Sequence, residues 1–212
     1  MLVLKLSTNL AFLVEIPSII INFVNLNKFL MLKFLKFLFQ LIISPTPGWE
    51  DISHEGRDAK LFATEGLYPL LGITALSTFI TYFFNDSGLI ALLQKAIITF
   101  IQYFASYFIA IFLFSVYISK YIDGEPNEKR ITTFITFNIA ILAIIRIIEN
   151  CLPIELSIVQ FLPVFVAIVM WKGTKYMAVN KNKIGQFMLL SIISIIVTPY
   201  LLQALFNFIL PS

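Results

Sequence analysis

Apolar residues fall in long blocks along this chain, and polar residues gather in short breaks between them. A helix crossing about 30 Å of hydrocarbon needs roughly 20 predominantly apolar residues. Five blocks approach or reach that length, over about 66–84, 96–118, 131–148, 154–171 and 187–210. Asn85-Asp86-Ser87-Gly88 closes the first. Asp123-Gly124-Glu125-Pro126 closes the second, its Gly-then-Pro order being a helix stop. Glu149-Asn150 closes the third, and Pro153 is placed for the first position of the fourth. Pro163 and Pro199 fall inside the last two blocks. Membrane helices tolerate proline where neighbours satisfy the freed carbonyls, so kinks are predicted there and not breaks.

Composition turns this pattern into a class. Of 212 residues, 59% are hydrophobic and 13% charged, whereas soluble domains run at roughly 45–50% and about 25%. A soluble chain of this size would lack the polar residues to cover its surface. A soluble globular enzyme, a disordered tail and a collagen-like chain are excluded. The reading is an all-α polytopic membrane bundle of five transmembrane helices, with an N-terminal amphipathic interfacial helix.

The charges orient the bundle. With five spans, thirteen of the fifteen Lys and Arg residues fall on one side: before the first span, after the second and after the fourth. Lys95 and Arg146 make up the other side. Short basic loops stay cytoplasmic. The N-terminus is therefore expected inside and the C-terminus outside, in a cytoplasmic membrane.

Residues 1–30 form a segment apart, read either as an upstream extension, with Met31 the true start, or as an interfacial helix. Residues 31–65 form an interfacial and cytosolic helical segment, and 66–212 the membrane domain. Over Phe29–Ile43, Lys33, Lys36 and Gln40 share one helical stripe among Leu, Phe and Ile. That pattern fits a helix in the membrane plane with Lys towards anionic headgroups, or one packed against the bundle. Pro45 ends this helix. Thr46 is expected to cap the next, with Pro47 at its first position and Glu50 and Asp51 at its positive start. Trp49 is suited to the interface, its ring near the headgroups. Ile52–Thr64 is expected to be a short surface helix, either a docking platform or a solvated connector.

A short amphipathic start, the run IISPTPGWEDIS (Ile42–Ser53) and five spans with the N-terminus inside resemble the bacterial branch of the Yip1 family. The resemblance rests on Ser44, Pro45, Gly48, Trp49 and Glu50, and by architecture it reaches from Met31 to the C-terminus. It implies a five-span bundle with a membrane role and no catalysis. Eukaryotic members of the family act in vesicle traffic, bind Rab-type GTPases and carry an Asp-Leu-Tyr-Gly-Pro element. Here Glu65-Gly66-Leu67-Tyr68-Pro69 displaces the glycine, and a Rab-type GTPase is not expected as a partner.

Candidate chemistry is sparse. One Cys (Cys151) and one His (His54) allow no intramolecular disulfide and no His/Cys zinc site. No Walker, HExxH, GxSxG or CxxC motif occurs. No catalytic residue, cofactor or metal is expected, and no nucleic-acid partner. Arg146 and Glu149, three apart near the outer end of the third span, can pair. They act as a structural anchor or as part of a polar path. Asn138 and Gln102 are candidates for interhelical hydrogen bonds. Glu65, Tyr68 and Pro69 open the first span, as helix-start chemistry or as a polar cytosolic site. Asp123, Glu125 and Glu128 cluster beside Lys129 and Arg130, which favours a solvated loop over a cation site.

Two functions compete. The first is a non-enzymatic scaffold that organises lipid or binds another membrane protein or a second copy of itself. The second is a small transporter or permease component passing a solute or lipid through the bundle.

Overall fold

The computed structural model describes residues 30–56, 58–84, 88–152 and 161–209. The expectations for residues 1–29, Arg57, the Asn85–Ser87 turn, Pro153 and the last three residues lie outside them. The described residues are mostly helical, with no strand among them and one isolated antiparallel bridge between Ile122 and Val179 in the connecting loops. Seven helices are labelled here in chain order. These are α1 (30–43), α2 (Pro45–Glu55), α3 (Ala59–Phe83), α4 (Leu89–Lys120), α5 (Glu128–Cys151), α6 (Leu162–Lys172) and α7 (Lys181–Ile209). Four of them, α3, α4, α5 and α7, are long and apolar enough to cross a membrane.

The centre of the bundle is α5. Its most apolar stretch is 72% buried, against 28% for α7. It touches α3, α4, α6 and α7, while α4 also packs on α3 and α7. Phe134 and Phe137, one turn apart on α5, gather the aromatic core. Phe137 stacks on Phe34 of α1 at 5.0 Å and meets Phe62 of α3 edge-on at 5.2 Å. Phe134 meets Phe114 of α4 at 5.9 Å and Phe187 of α7 at 5.7 Å.

The helix ends depart from expectation for local reasons. Only Ser44 separates α1 from α2. It precedes a proline, which disfavours the helical conformation, and it sits at φ −142°, ψ 80°. Its carbonyl nevertheless accepts from Gly48 N–H at 3.0 Å. Ser44, not Thr46, is thus the residue at the helix start, and Pro45 is in the first turn of α2. The expected helix over Ile52–Thr64 is divided. Gly56 ends α2 in the left-handed conformation at φ +65°, and the Asp58 carboxylate accepts from Lys60 N–H at 3.0 Å to start α3. The first long helix therefore begins seven residues before its apolar block. Likewise α4 starts at Leu89, so Lys95 lies nearly two turns inside a helix and not ahead of it.

Two prolines share one solution. Ahead of Pro69 and of Pro199 the helix widens into a π turn, over Ala63–Leu67 and Ile192–Val197. Tyr68 N–H reaches back to Ala63 and Thr198 N–H to Ile193, five residues each. The extra residue makes room for a ring that would strike the carbonyl four residues earlier. Neither helix breaks. Pro163 lies in the first turn of α6, where its missing N–H costs little. The rest of the fourth block, up to residue 160, lies outside the described residues.

Candidate functional site

The predicted site residues divide between two ends of α5. Arg130 and Arg146 mark these ends, sixteen residues or about 24 Å apart along the helix.

At the Arg130 end the N-terminal hairpin closes onto the bundle. Helix α1 turns Phe34, Phe37, Leu38 and Leu41 into the core. Two residues of its polar stripe are engaged within the chain: Lys33 pairs with Glu55 and Gln40 donates to Asp51, both on α2. Lys36 stays exposed. Phe34 can lie flat against α3 because residue 66 is glycine; a Cβ there would come within 2.3 Å of the Phe34 ring.

Trp49 is buried, 2% exposed, and so does not face the headgroups. Its indole N–H donates to the Val169 carbonyl on α6 at 3.0 Å. Its ring stacks between Phe134 at 5.4 Å and Tyr176 at 5.1 Å. Gly173, just past α6, admits this stack, since a Cβ would sit 2.8 Å from Phe134 and 3.0 Å from the indole. Burial pushes the Tyr176 phenol above its ordinary value. A hydrogen bond with Thr133 and the charge of Arg130 pull the other way. Ser44 and Pro45 form the hairpin turn, and Glu50 faces Lys175 at 3.7 Å with both side chains largely exposed.

The connecting loops meet the same end. Lys129 donates to the Gly56 carbonyl, Lys183 to the Lys120 carbonyl at 2.7 Å, and Asn180 to Asp123 at 2.8 Å. Asp123 is thus engaged with Asn180. Among the described residues no three His, Cys, Asp or Glu side chains come together as metal ligands would.

The Glu65-Tyr68-Pro69 set does not form one cluster. Glu65 lies in the first π turn, where its Oε2 is buried without a hydrogen-bond partner among the described residues. Tyr68 packs on Phe104 at 5.4 Å and Tyr107 at 5.9 Å, and Pro69 is exposed.

At the other end Arg146 donates from Nη1 to Glu149 at 2.9 Å, with both side chains mostly buried. Arg146 also lines a cavity of about 320 Å³ between α4, α5 and α7. Lys95, Thr99 and Gln102 line it from α4, and Gln203 and Asn207 from α7. None of its described lining residues is acidic. Sequence reading did not group these residues, although the signal was present. Positions 95, 99 and 102 recur at i, i+4 and i+7, and 203 and 207 at i and i+4, as one polar stripe on each of two apolar helices. Gln102 belongs to this cavity. Asn138 does not bridge helices but donates to Phe134 of its own helix at 2.8 Å. An interhelical bond is made instead by Asn150, which donates to Ser77 of α3 at 2.8 Å.

Comparison of the chain with family models, curated proteins and solved structures finds no match.

Proposed function

We propose that this chain is a non-enzymatic, five-span membrane scaffold, similar to the Yip1 family, with its Arg130 end in the cytosol and its C-terminus outside. One observation carries the reading. The α1–α2 hairpin and the loops before α5 and α7, which hold most of the basic residues, converge on one end around Trp49. The chain leaves α5 at the Arg146 end and returns to the Trp49 end at the foot of α6, which supports the expected fourth crossing over about 154–171. A fifth crossing by α7 then carries the C-terminus back.

The hairpin supports a placement at the membrane surface. Opposite its buried face, α1 exposes Leu32, Phe39 and Ile43 with Lys36 among them. Such a stripe suits the headgroup boundary, with Lys36 reaching outward. The partner of the converged platform is another membrane protein or a second copy of this chain.

The transport reading has less support. Phe114, Phe134, Phe137 and Phe187, all 0% exposed, fill the bundle axis between the cavity and the Trp49 end. The buried polar side chains beside it, Ser106, Thr136, Asn138, Ser191 and Ser194, each donate to a carbonyl of their own helix.

Photocrosslinking in native membranes tests the scaffold. A benzophenone side chain at Lys175 or Lys181 should join the protein to one reproducible partner or to itself. The same group at Phe112, on the lipid-facing side of α4, should not. Crosslinks to lipid alone at all three positions, together with solute flux in liposomes that Arg146→Ala abolishes, would favour transport.

A further inference from the structure

The cavity at the Arg146 end has a chemistry that the scaffold reading does not use. We infer that it binds a phosphate group, held between Arg146 and Lys95.

Two cations line this cavity and no acid does among its described residues. The Arg146–Glu149 pair engages one terminal nitrogen, while Nε is buried without a hydrogen-bond partner among the described residues. A guanidinium fork with a remaining donor is suited to a second pair of acceptor oxygens, and two oxygens of a phosphate supply them. Gln203 and Asn207 add amides that can donate to ester or hydroxyl oxygens. The buried Thr99 and Gln102, each 2% exposed, make the floor polar. Around 320 Å³ is room for more than a bare ion and falls at the lower end of small-ligand sites.

The depth also fits. Arg146 is five residues from the end of α5, and Lys95 six from the start of α4, so both lie about 8–9 Å along the axis from a helix end. Ala91, Leu92 and Ile98 of α4 also line the cavity. They offer apolar surface to acyl chains whose headgroup would occupy the cavity. The phosphate can thus belong to a membrane lipid or to a soluble phosphate.

The test is the thermal stability of the full-length protein in a nonionic detergent. It is titrated with phosphatidylglycerol, with a neutral glycolipid of the same chains, and with inorganic phosphate. Phosphatidylglycerol should stabilise the wild type more than the glycolipid does. Lys95→Gln and Arg146→Gln should each weaken that response by about tenfold, and Lys181→Gln at the opposite end should not. A response to phosphatidylglycerol alone identifies a lipid headgroup, and an equal response to inorganic phosphate identifies a soluble ligand. Lys95→Gln, at the cavity rim, keeps the test valid should Arg146→Gln fail to fold. Equal effects of phosphatidylglycerol and glycolipid without any effect of inorganic phosphate, or cavity variants that respond like the wild type, would overturn the inference.

Discussion

The Trp49 indole N–H donates to the Val169 carbonyl at 3.0 Å across 120 residues of sequence. This bond locks the N-terminal hairpin to the foot of α6. It is buried, and the same carbonyl also accepts from Gly173 N–H at 3.0 Å.

Trp49 can therefore be dissected. Trp49→Phe keeps most of the stacking and loses the donor, and should cost about 1 kcal/mol. Trp49→Ala also empties the stack between Phe134 and Tyr176 and should cost about 3–5 kcal/mol. Thermal unfolding in detergent, followed by circular dichroism, should rank wild type above Phe and Phe above Ala. Equal loss in both variants would mean that stacking contributes nothing.

Close approach makes a second prediction. Gly66→Ala places a methyl within 2.3 Å of the Phe34 ring, so α1 must shift off α3. The expected cost is about 1–3 kcal/mol. Gly72 on the same helix has open space at that position, and Gly72→Ala should be neutral or slightly stabilising. Proteolysis between α1 and α2 should accelerate in the first variant only.

The Arg146–Glu149 pair is mostly buried on the central helix. Arg146→Ala leaves a carboxylate without its ion-pair partner and should destabilise by about 1–3 kcal/mol. The double change with Glu149→Gln should recover part of that loss, because no unpaired charge remains. A double variant as unstable as the sum of the singles would show that the two residues do not interact.

Tyr176 gives a pH dependence. Burial raises its phenol above the ordinary value near 10, so the folded state holds this proton more tightly than the unfolded state does. The stability this contributes is complete below a pH of about 10 and is lost as pH rises through the folded-state value. Tyr176→Phe should flatten the alkaline limb of the stability profile, measured as melting temperature between pH of about 9 and 11. An unchanged limb would contradict the burial argument.

Much of the architecture was legible because hydropathy blocks and membrane-length helices obey the same length rule. The blocks at 66–84, 96–118, 131–148 and 187–210 each lie within or largely overlap an observed helix. Helix starts were not legible. Gly56 and Asp58 begin α3 through backbone conformation and a side-chain cap, and hydropathy does not register either. Trp49 was placed at the interface on its amphipathic character, but a partner 120 residues away holds it inside. Lys33 and Gln40 formed the expected stripe, yet α2 folds back to take them. Of the cavity, Arg146 stood out as a charge within an apolar block. Lys95 did not, because it was read as lying ahead of its helix.

The proposed five-span arrangement requires the two ends of α5 to face opposite sides of one membrane. Impermeant maleimide labelling of single-cysteine variants in intact cells tests this most directly, in a Cys151→Ser background. Cysteine at Asn207 should label from outside. Cysteine at Thr46 and at Asn180 should label only after the membrane is permeabilised. Labelling of Thr46 and Asn207 from the same side would contradict the five-span arrangement, and with it the placement of the platform and the cavity on opposite faces.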